Sequence, residues 1–188
     1  LKIFSARAGA EMERKRTENA MRDMAYHDAL TGLPNRILLN DRLEMSLLQA
    51  KRSKNMVGLL YIDFDRFKQI NDTLGHDVGD QLLQAVGNRL KECLRQQDTV
   101  ARLGGDEFIL LFPGITNRED AGKLAQKLLE KIRPTFTIEE HELNITLSIG
   151  IALFPSDGDD AKSLIRCADE ALYAAKNSGR DRYHFYTK

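Results

Sequence analysis

Two spacings of apolar residues alternate along the chain. From Arg36 to Arg52, Ile37, Leu38, Leu43, Leu47 and Leu48 recur at helical intervals; Leu82, Leu83, Val86, Leu90 and Leu94 do the same between Asp77 and Arg95. Arg118–Ile132 and Ala161–Asn177 complete this set. Residues three or four apart share one face of a helix, so the pattern predicts four amphipathic helices. Between them lie shorter runs. Met56–Phe64 is almost continuously apolar, as a buried strand should be. Thr99–Leu103 and Phe108–Phe112 flank Gly-Gly-Asp-Glu, which reads as a hairpin turn. Thr135–Ile138 and Asn144–Phe154 alternate like paired strands, and Tyr183–Phe185 is a short closing strand. Helices mixed with mainly hairpin-linked strands predict an α+β fold, a central, mainly antiparallel sheet flanked by helices. Residues 1–25 differ: a charged stretch, Glu11 to Glu18, with scattered Ala and Met and almost no Gly or Pro. This predicts an N-terminal connector helix, leaving residues 26–188 as the main domain.

The 188 residues suffice for one domain with a sizeable core. Lys plus Arg number 28, as do Asp plus Glu, so the formal charge is zero. A global basic field for gripping nucleic acid or an anionic membrane is therefore excluded. The longest apolar runs, near 56–62 and 145–154, are shorter than the about 20 residues of a membrane helix. Cys93 and Cys167 form neither a CxxC pair nor a disulfide framework, which fits a reducing compartment. No signal peptide is recognisable, and the start at Leu1 reads as a piece of something longer.

Candidate chemistry lies in two acidic segments. Asp63-Phe64-Asp65-Arg66-Phe67-Lys68-Gln69-Ile70-Asn71-Asp72 follows the most apolar strand directly. A carboxylate there has a dry wall behind it and an open mouth in front, which suits a hard cation. Asp63 is the metal candidate, whereas Asp65 is read as a cap for the turn into the next helix. The second segment is Gly104-Gly105-Asp106-Glu107-Phe108. Its glycines allow positive φ and a close approach, and its adjacent acids could hold a cation or take a proton. Alone it would read as an ordinary turn. Carboxylates converging from separate strands, however, are how phosphoryl-transfer sites hold Mg²⁺ against phosphate oxygens.

With these segments in view the sequence resembles the GGDEF domain, the diguanylate cyclase family, from about Asp28 to Tyr183. Four separated motifs carry the resemblance: Asp28-Ala29-Leu30-Thr31-Gly32-Leu33-Pro34-Asn35-Arg36; the Asp63–Asp72 segment with Gly75-His76-Asp77-Val78-Gly79-Asp80; Gly104–Phe108; and Tyr173-Ala174-Ala175-Lys176-Asn177-Ser178-Gly179-Arg180. The resemblance implies a nucleotide cyclase or palm-like fold and a reaction in which two GTP become cyclic di-GMP with release of two pyrophosphates. It implies Mg²⁺, or Mn²⁺, held by Asp63, the Phe64 carbonyl, Asp106 and Glu107. Asp106 resembles the group that takes the 3′-hydroxyl proton. Lys68 and nearby N–H groups, with Lys176 and Arg180, would hold the triphosphate. Asn71 and Asp80 look like guanine readers, with His76 nearby or simply capping the next helix. An acceptor such as Asp80 suits the guanine N1–H and N2–H₂ donors, and adenine would leave it facing the wrong partners. In the opening motif, Asp28 or Thr31 would bond loop N–H groups, Pro34 would stiffen the turn, and Asn35 would cap the following helix.

Arg95-Gln96-Gln97-Asp98 precedes the hairpin at the separation at which the family carries an inhibitory site for cyclic di-GMP. Arg95 can pair with phosphate or a guanine edge and Asp98 can accept guanine N–H; the plainer reading is a surface ion pair at a helix end. The resemblance further implies a homodimer, an upstream sensor domain and, in many members, a downstream phosphodiesterase domain. It implies a cytoplasmic domain, with membrane attachment of the full-length protein left open, and no nucleic acid partner. The alternative is a catalytically silent GTP- or cyclic di-GMP-binding regulatory domain.

Overall fold

The computed structural model describes residues 12–14 and 24–187, so the expected connector helix over residues 1–25 lies almost wholly outside the described residues. The elements run α1 (Arg36–Ser53), β1 (Met56–Phe64), α2 (Phe67–Leu74), α3 (His76–Lys91), β2 (Thr99–Gly104), β3 (Glu107–Ile115), α4 (Arg118–Ile132), β4 (Phe136–Ile138), β5 (His141–Leu143), β6 (Leu147–Phe154), α5 (Ala161–Asn177) and β7 (Arg182–Phe185). Several boundaries have a visible cause. Asn35 caps α1 by accepting from the N–H groups of Ile37 and Leu38, as its position before Arg36 suggests. Asp160 and Ser163 form a reciprocal capping box at the start of α5.

A five-stranded sheet has the order β2-β3-β1-β6-β7. Only the β6–β7 pair is parallel among its described strands, so the sheet is mainly antiparallel. Alternation along the strands divides the core. Leu60, Ile62, Phe108, Leu110, Ile149 and Ile151 meet α3 and α4 on one face. Leu59, Tyr61, Ile109, Leu111 and Ala152 meet α1 and α5 on the other.

Three expectations change. Phe136–Ile138 pairs with His141–Leu143, not with the long strand that follows, because Glu139 at φ 53° turns the chain back on itself first. Leu147–Phe154 is instead a central strand, bonded to β1 and β7. Helix α3 ends at Lys91, so Arg95 sits in a turn beyond it; apolar spacing continued to Leu94 after the helical backbone had stopped.

The α5–β6 contact sets the position of everything at this end of the sheet. A Cβ on Gly150 would stand 2.0 Å from the Ala168 carbonyl oxygen and 2.2 Å from the Leu172 nitrogen, both backbone atoms. Gly150→Ala should therefore cost about 3 kcal/mol or more of unfolding free energy in urea titrations. Gly58→Ala should be much milder, because its nearest obstacle is the movable Ile115 Cδ1 at 3.3 Å. Equal losses would mean that α5 can lift away from the sheet at little cost.

Candidate active site

The antiparallel registers line up side chains from separate strands. Asp63 is opposite Glu107 on β3 and opposite Ser148 on β6. Residues opposite one another point to the same side, so Glu107, Asp63 and Ser148 form a row on the α1/α5 face. Gly104 pairs with Glu107, leaving Gly105 and Asp106 as the hairpin turn; the two glycines have φ of 142° and 54°. Glu107 also lies close enough to Tyr61 for its charge to act on the Tyr61 hydroxyl. Burial first, and then the Glu107 charge, push the Tyr61 hydroxyl up, keeping it a proton donor.

Lys176 reaches this row from the last turn of α5, its Nζ 2.7 Å from Asp63 Oδ2. Burial raises the Asp63 carboxyl above its ordinary value; the Lys176 hydrogen bond opposes that rise and the Asp106 charge adds to it. The acid is therefore short of positive charge even with Lys176 in place.

Asp65 does not cap α2. The residue before that helix is Arg66, in the left-handed region at φ 63° with no side-chain cap, and the Asp65 side chain turns back toward the sheet. It accepts from Thr146 Oγ1 at 2.6 Å, Ser148 Oγ at 2.7 Å and the Asp181 N–H at 3.1 Å. Arg180 Nε stands 3.9 Å away. Asp65, Arg66, Thr146, Gly179 and Arg180 line a cavity of about 560 Å³. The larger cavity, about 690 Å³ between α1 and α5, contains none of the predicted site residues.

Helix α2 presents its uncapped N-terminus beside this cavity, with Lys68 exposed on its first turn. On the neighbouring turn Asn71 packs against α3 at Gly79, where a Cβ would stand 1.8 Å from Asn71 Oδ1. That oxygen is buried with no hydrogen-bond partner, and Gly79 is next in sequence to the exposed Asp80. His76 is the first residue of α3 and exposed; the cap position is Gly75, with no side-chain bond, so His76 does not serve as the cap.

The hairpin is anchored from the opening motif. Arg102 Nη1 bridges both Asp28 oxygens at 2.9 and 3.0 Å, and Arg102 Nε donates to the Gly105 carbonyl at 3.0 Å. Asp28 also accepts from the N–H and hydroxyl of Thr31. Burial pulls the Asp28 carboxyl up, but these Thr31 and Arg102 bonds outweigh it and hold it below the ordinary value.

This arrangement has known counterparts. The family described as "Diguanylate cyclase, GGDEF domain" matches residues 25–182. The chain belongs to the GGDEF domain family. Among its relatives, the bifunctional diguanylate cyclase/cyclic di-GMP phosphodiesterase MucR of Pseudomonas aeruginosa is 47% identical over 173 residues, 91% of this chain and 25% of MucR. The diguanylate cyclase TpbB of P. aeruginosa is 39% identical over 169 residues, 89% of this chain and 39% of TpbB. The chain thus spans well under half the length of these two relatives. The crystal structure of the coiled coil and GGDEF domain of DgcB from Caulobacter crescentus, in complex with c-di-GMP, superposes with a TM-score of 0.86 at 29% identity, covering 98% of each chain.

For the GGDEF domain a divalent cation is the implied ligand. The carboxylates at these strand ends offer the hard oxygens such an ion would take, and the burial of Asp63 beside Asp106 would be relieved by it. Among the described residues no three His, Cys, Asp or Glu side chains are gathered as a ready cation site.

At the far end of β2, Asp98 accepts from the Arg95 main-chain N–H at 2.9 Å instead of serving as a simple surface partner of its side chain. Asp98 is only 9% exposed and its Oδ1 is without a partner. Burial raises its carboxyl against the opposing Arg95 bond. The Arg95 guanidinium stays exposed beside the Phe112 ring, 5.6 Å from its centre.

The Asp63 environment predicts a stability cost. A carboxyl raised on folding weakens the fold as pH climbs from the ordinary carboxylate range through its folded value, and the deficit persists above it. Asp63→Asn should therefore raise the melting temperature by a few degrees at pH 7, with the gain fading near pH 4, in parallel calorimetric scans. A lower melting temperature at pH 7 would mean that the Lys176 pair outweighs burial.

Proposed function

We propose that this chain is a diguanylate cyclase domain that condenses two GTP into cyclic di-GMP and releases two pyrophosphates. The observation that carries the reading is the Glu107–Asp63 row, with Asp106 at the hairpin tip and the open N-terminus of α2 alongside. Helix N-termini and lysines suit phosphate, so the first turn of α2, Lys68, Lys176 and Arg180 are assigned to the triphosphate. Asp80 is assigned to the donor edge of guanine and Asn71 to a neighbouring purine atom, with His76 at the rim. Asp106 is assigned the proton of the 3′-hydroxyl. Asp63, Glu107, Asp106 and the Phe64 carbonyl would hold Mg²⁺ or Mn²⁺, which when bound supplies charge neutralisation for the phosphates.

One such site holds one GTP, and each 3′-hydroxyl must reach the α-phosphate of the other nucleotide. Two chains facing each other provide that geometry, so the active form is assigned as a homodimer. Arg95 and Asp98 are assigned to feedback binding of cyclic di-GMP, supported by the buried, half-unpaired Asp98 carboxylate. Residues 1–25 are assigned as the connector to an upstream sensor and residues 26–188 as the cyclase domain, in a cytoplasmic part of the protein. Among the described residues no helix is long and apolar enough to cross a membrane.

With GTP and Mg²⁺, mass spectrometry should detect cyclic di-GMP, and turnover per chain should rise with protein concentration. Asp63→Ala and Glu107→Ala should each lower the rate about a hundredfold or more. Unchanged rates in both, with contaminating cyclase excluded, would overturn the assignment. Arg95→Ala should leave the initial rate intact while removing inhibition by added cyclic di-GMP; inhibition that persists unchanged would overturn the feedback site. Relatives named only as cyclic di-GMP phosphodiesterases support a second reading, a catalytically silent GTP- or cyclic di-GMP-binding domain that regulates a neighbouring phosphodiesterase. Calorimetric GTP binding without product in an enforced dimer would favour it.

A further inference from the structure

The turn after α5 has an unusual backbone. Gly179, Arg180 and Asp181 have φ of 112°, 63° and 48°, so two consecutive residues with side chains lie in the left-handed region. L-residues enter that region at a cost and stay only where surrounding contacts hold them. The holding contact here comes from a carboxylate that is distant in sequence. Asp65, its side chain 4% exposed, accepts the Asp181 N–H while Thr146 and Ser148 donate their hydroxyls to it. These three donors come from two places along the chain: the Thr146 and Ser148 hydroxyls where β6 begins and the N–H just before β7. All converge on a group that can only accept. An amide in its place would offer a donor to at least one of these donors.

We propose that Asp65 is a positioning residue for Arg180. By pinning Asp181 and standing 3.9 Å from Arg180 Nε, it fixes where the half-exposed guanidinium enters the cavity shared with Arg66 and Thr146. This inference rests on the reading that Arg180 meets the triphosphate of GTP. Asp65 itself is turned toward Ser148 and Thr146 and makes no contact with nucleotide in this role.

The test compares a nonhydrolysable GTP analogue with GMP, which shares the guanine but lacks the terminal phosphates. Calorimetry on the full chain should show Asp65→Asn weakening analogue binding about tenfold to a hundredfold, the range of a lost charged hydrogen bond, while GMP affinity changes less than about twofold. Because Asp65 acts through Arg180, the Asp65→Asn/Arg180→Ala double variant should bind the analogue no more weakly than Arg180→Ala alone. Equal weakening of both ligands, additive losses, or unchanged analogue binding would overturn the proposal. If Asp65→Asn does not fold by circular dichroism, Ser148→Ala removes one of the three bonds and should give the same pattern at smaller amplitude. Collapse of both variants would make the carboxylate a purely structural tie and would also overturn it. The Arg180 Nε–H resonance gives a reading without nucleotide: relaxation of a restricted side chain in the wild type and of a more mobile one in the variant. Wild-type protein that binds neither ligand would sink the nucleotide reading alone, and that resonance would still decide whether Asp65 orders Arg180.

Discussion

Helix α5 presses so closely on β6 that helix backbone fills the space a methyl group on Gly150 would need. This contact fixes the geometry beyond it. From Gly150 back to Ser148 the strand covers about 6.6 Å, and from Leu172 to Lys176 the helix, running against the strand, covers about 6 Å the same way. The two elements therefore stay in step, and Lys176 arrives at the row containing Ser148 and Asp63. The following turn then starts at a fixed point, which allows Asp181 to meet Asp65 and Arg182 to pair with Ser148. A larger residue at position 150 would displace the cation, the turn and the edge strand together.

The acids at these strand ends are not arranged for maximum stability. Asp63 is held partly out of water near Asp106, with one ammonium as counterion. Asp28 is also partly buried, yet its bonds to Arg102 and Thr31 leave it favouring the charged form. The contrast separates two roles for similar chemistry. Asp28 has its partners supplied and serves the fold, whereas Asp63 retains an unmet demand for positive charge and is suited to a ligand.

Much of this was legible in the sequence because alternation and strand burial are local properties. Met56–Phe64 reads as a buried strand, and Gly-Gly-Asp-Glu reads as the hairpin turn between Thr99–Leu103 and Phe108–Phe112, without knowledge of the partners. Asp65 was not legible. An Asp shortly before a helix commonly caps it, but the left-handed backbone at Arg66 sends this carboxylate toward Thr146 and Ser148, about eighty residues away in sequence. The pairing of Phe136–Ile138 failed for a related reason: a polar strand of three residues, His141–Leu143, carries too short a pattern to compete with the long apolar strand after it. The setting of Tyr61 was hidden too, since a Tyr in an apolar run reads as core until its hydroxyl is found near the Glu107 charge.

The signature hairpin combines freedom of backbone angle with fixation in space. Gly104 and Gly105 take up angles costly for other residues, which lets a tight turn carry Asp106 at its tip. Glycines alone would leave that tip poorly ordered. Arg102 counters this: its N–H bonds the Pro34 carbonyl, its guanidinium holds Asp28, and its Nε bonds Gly105. Asn35 links the same segment back to Ala25 and Tyr26 through one side-chain and one main-chain bond. One guanidinium, its side chain 10% exposed, thus connects the start of the described domain to the turn that carries the acids. The hairpin keeps its position because its anchor lies outside the turn, and that leaves the turn residues themselves available for chemistry.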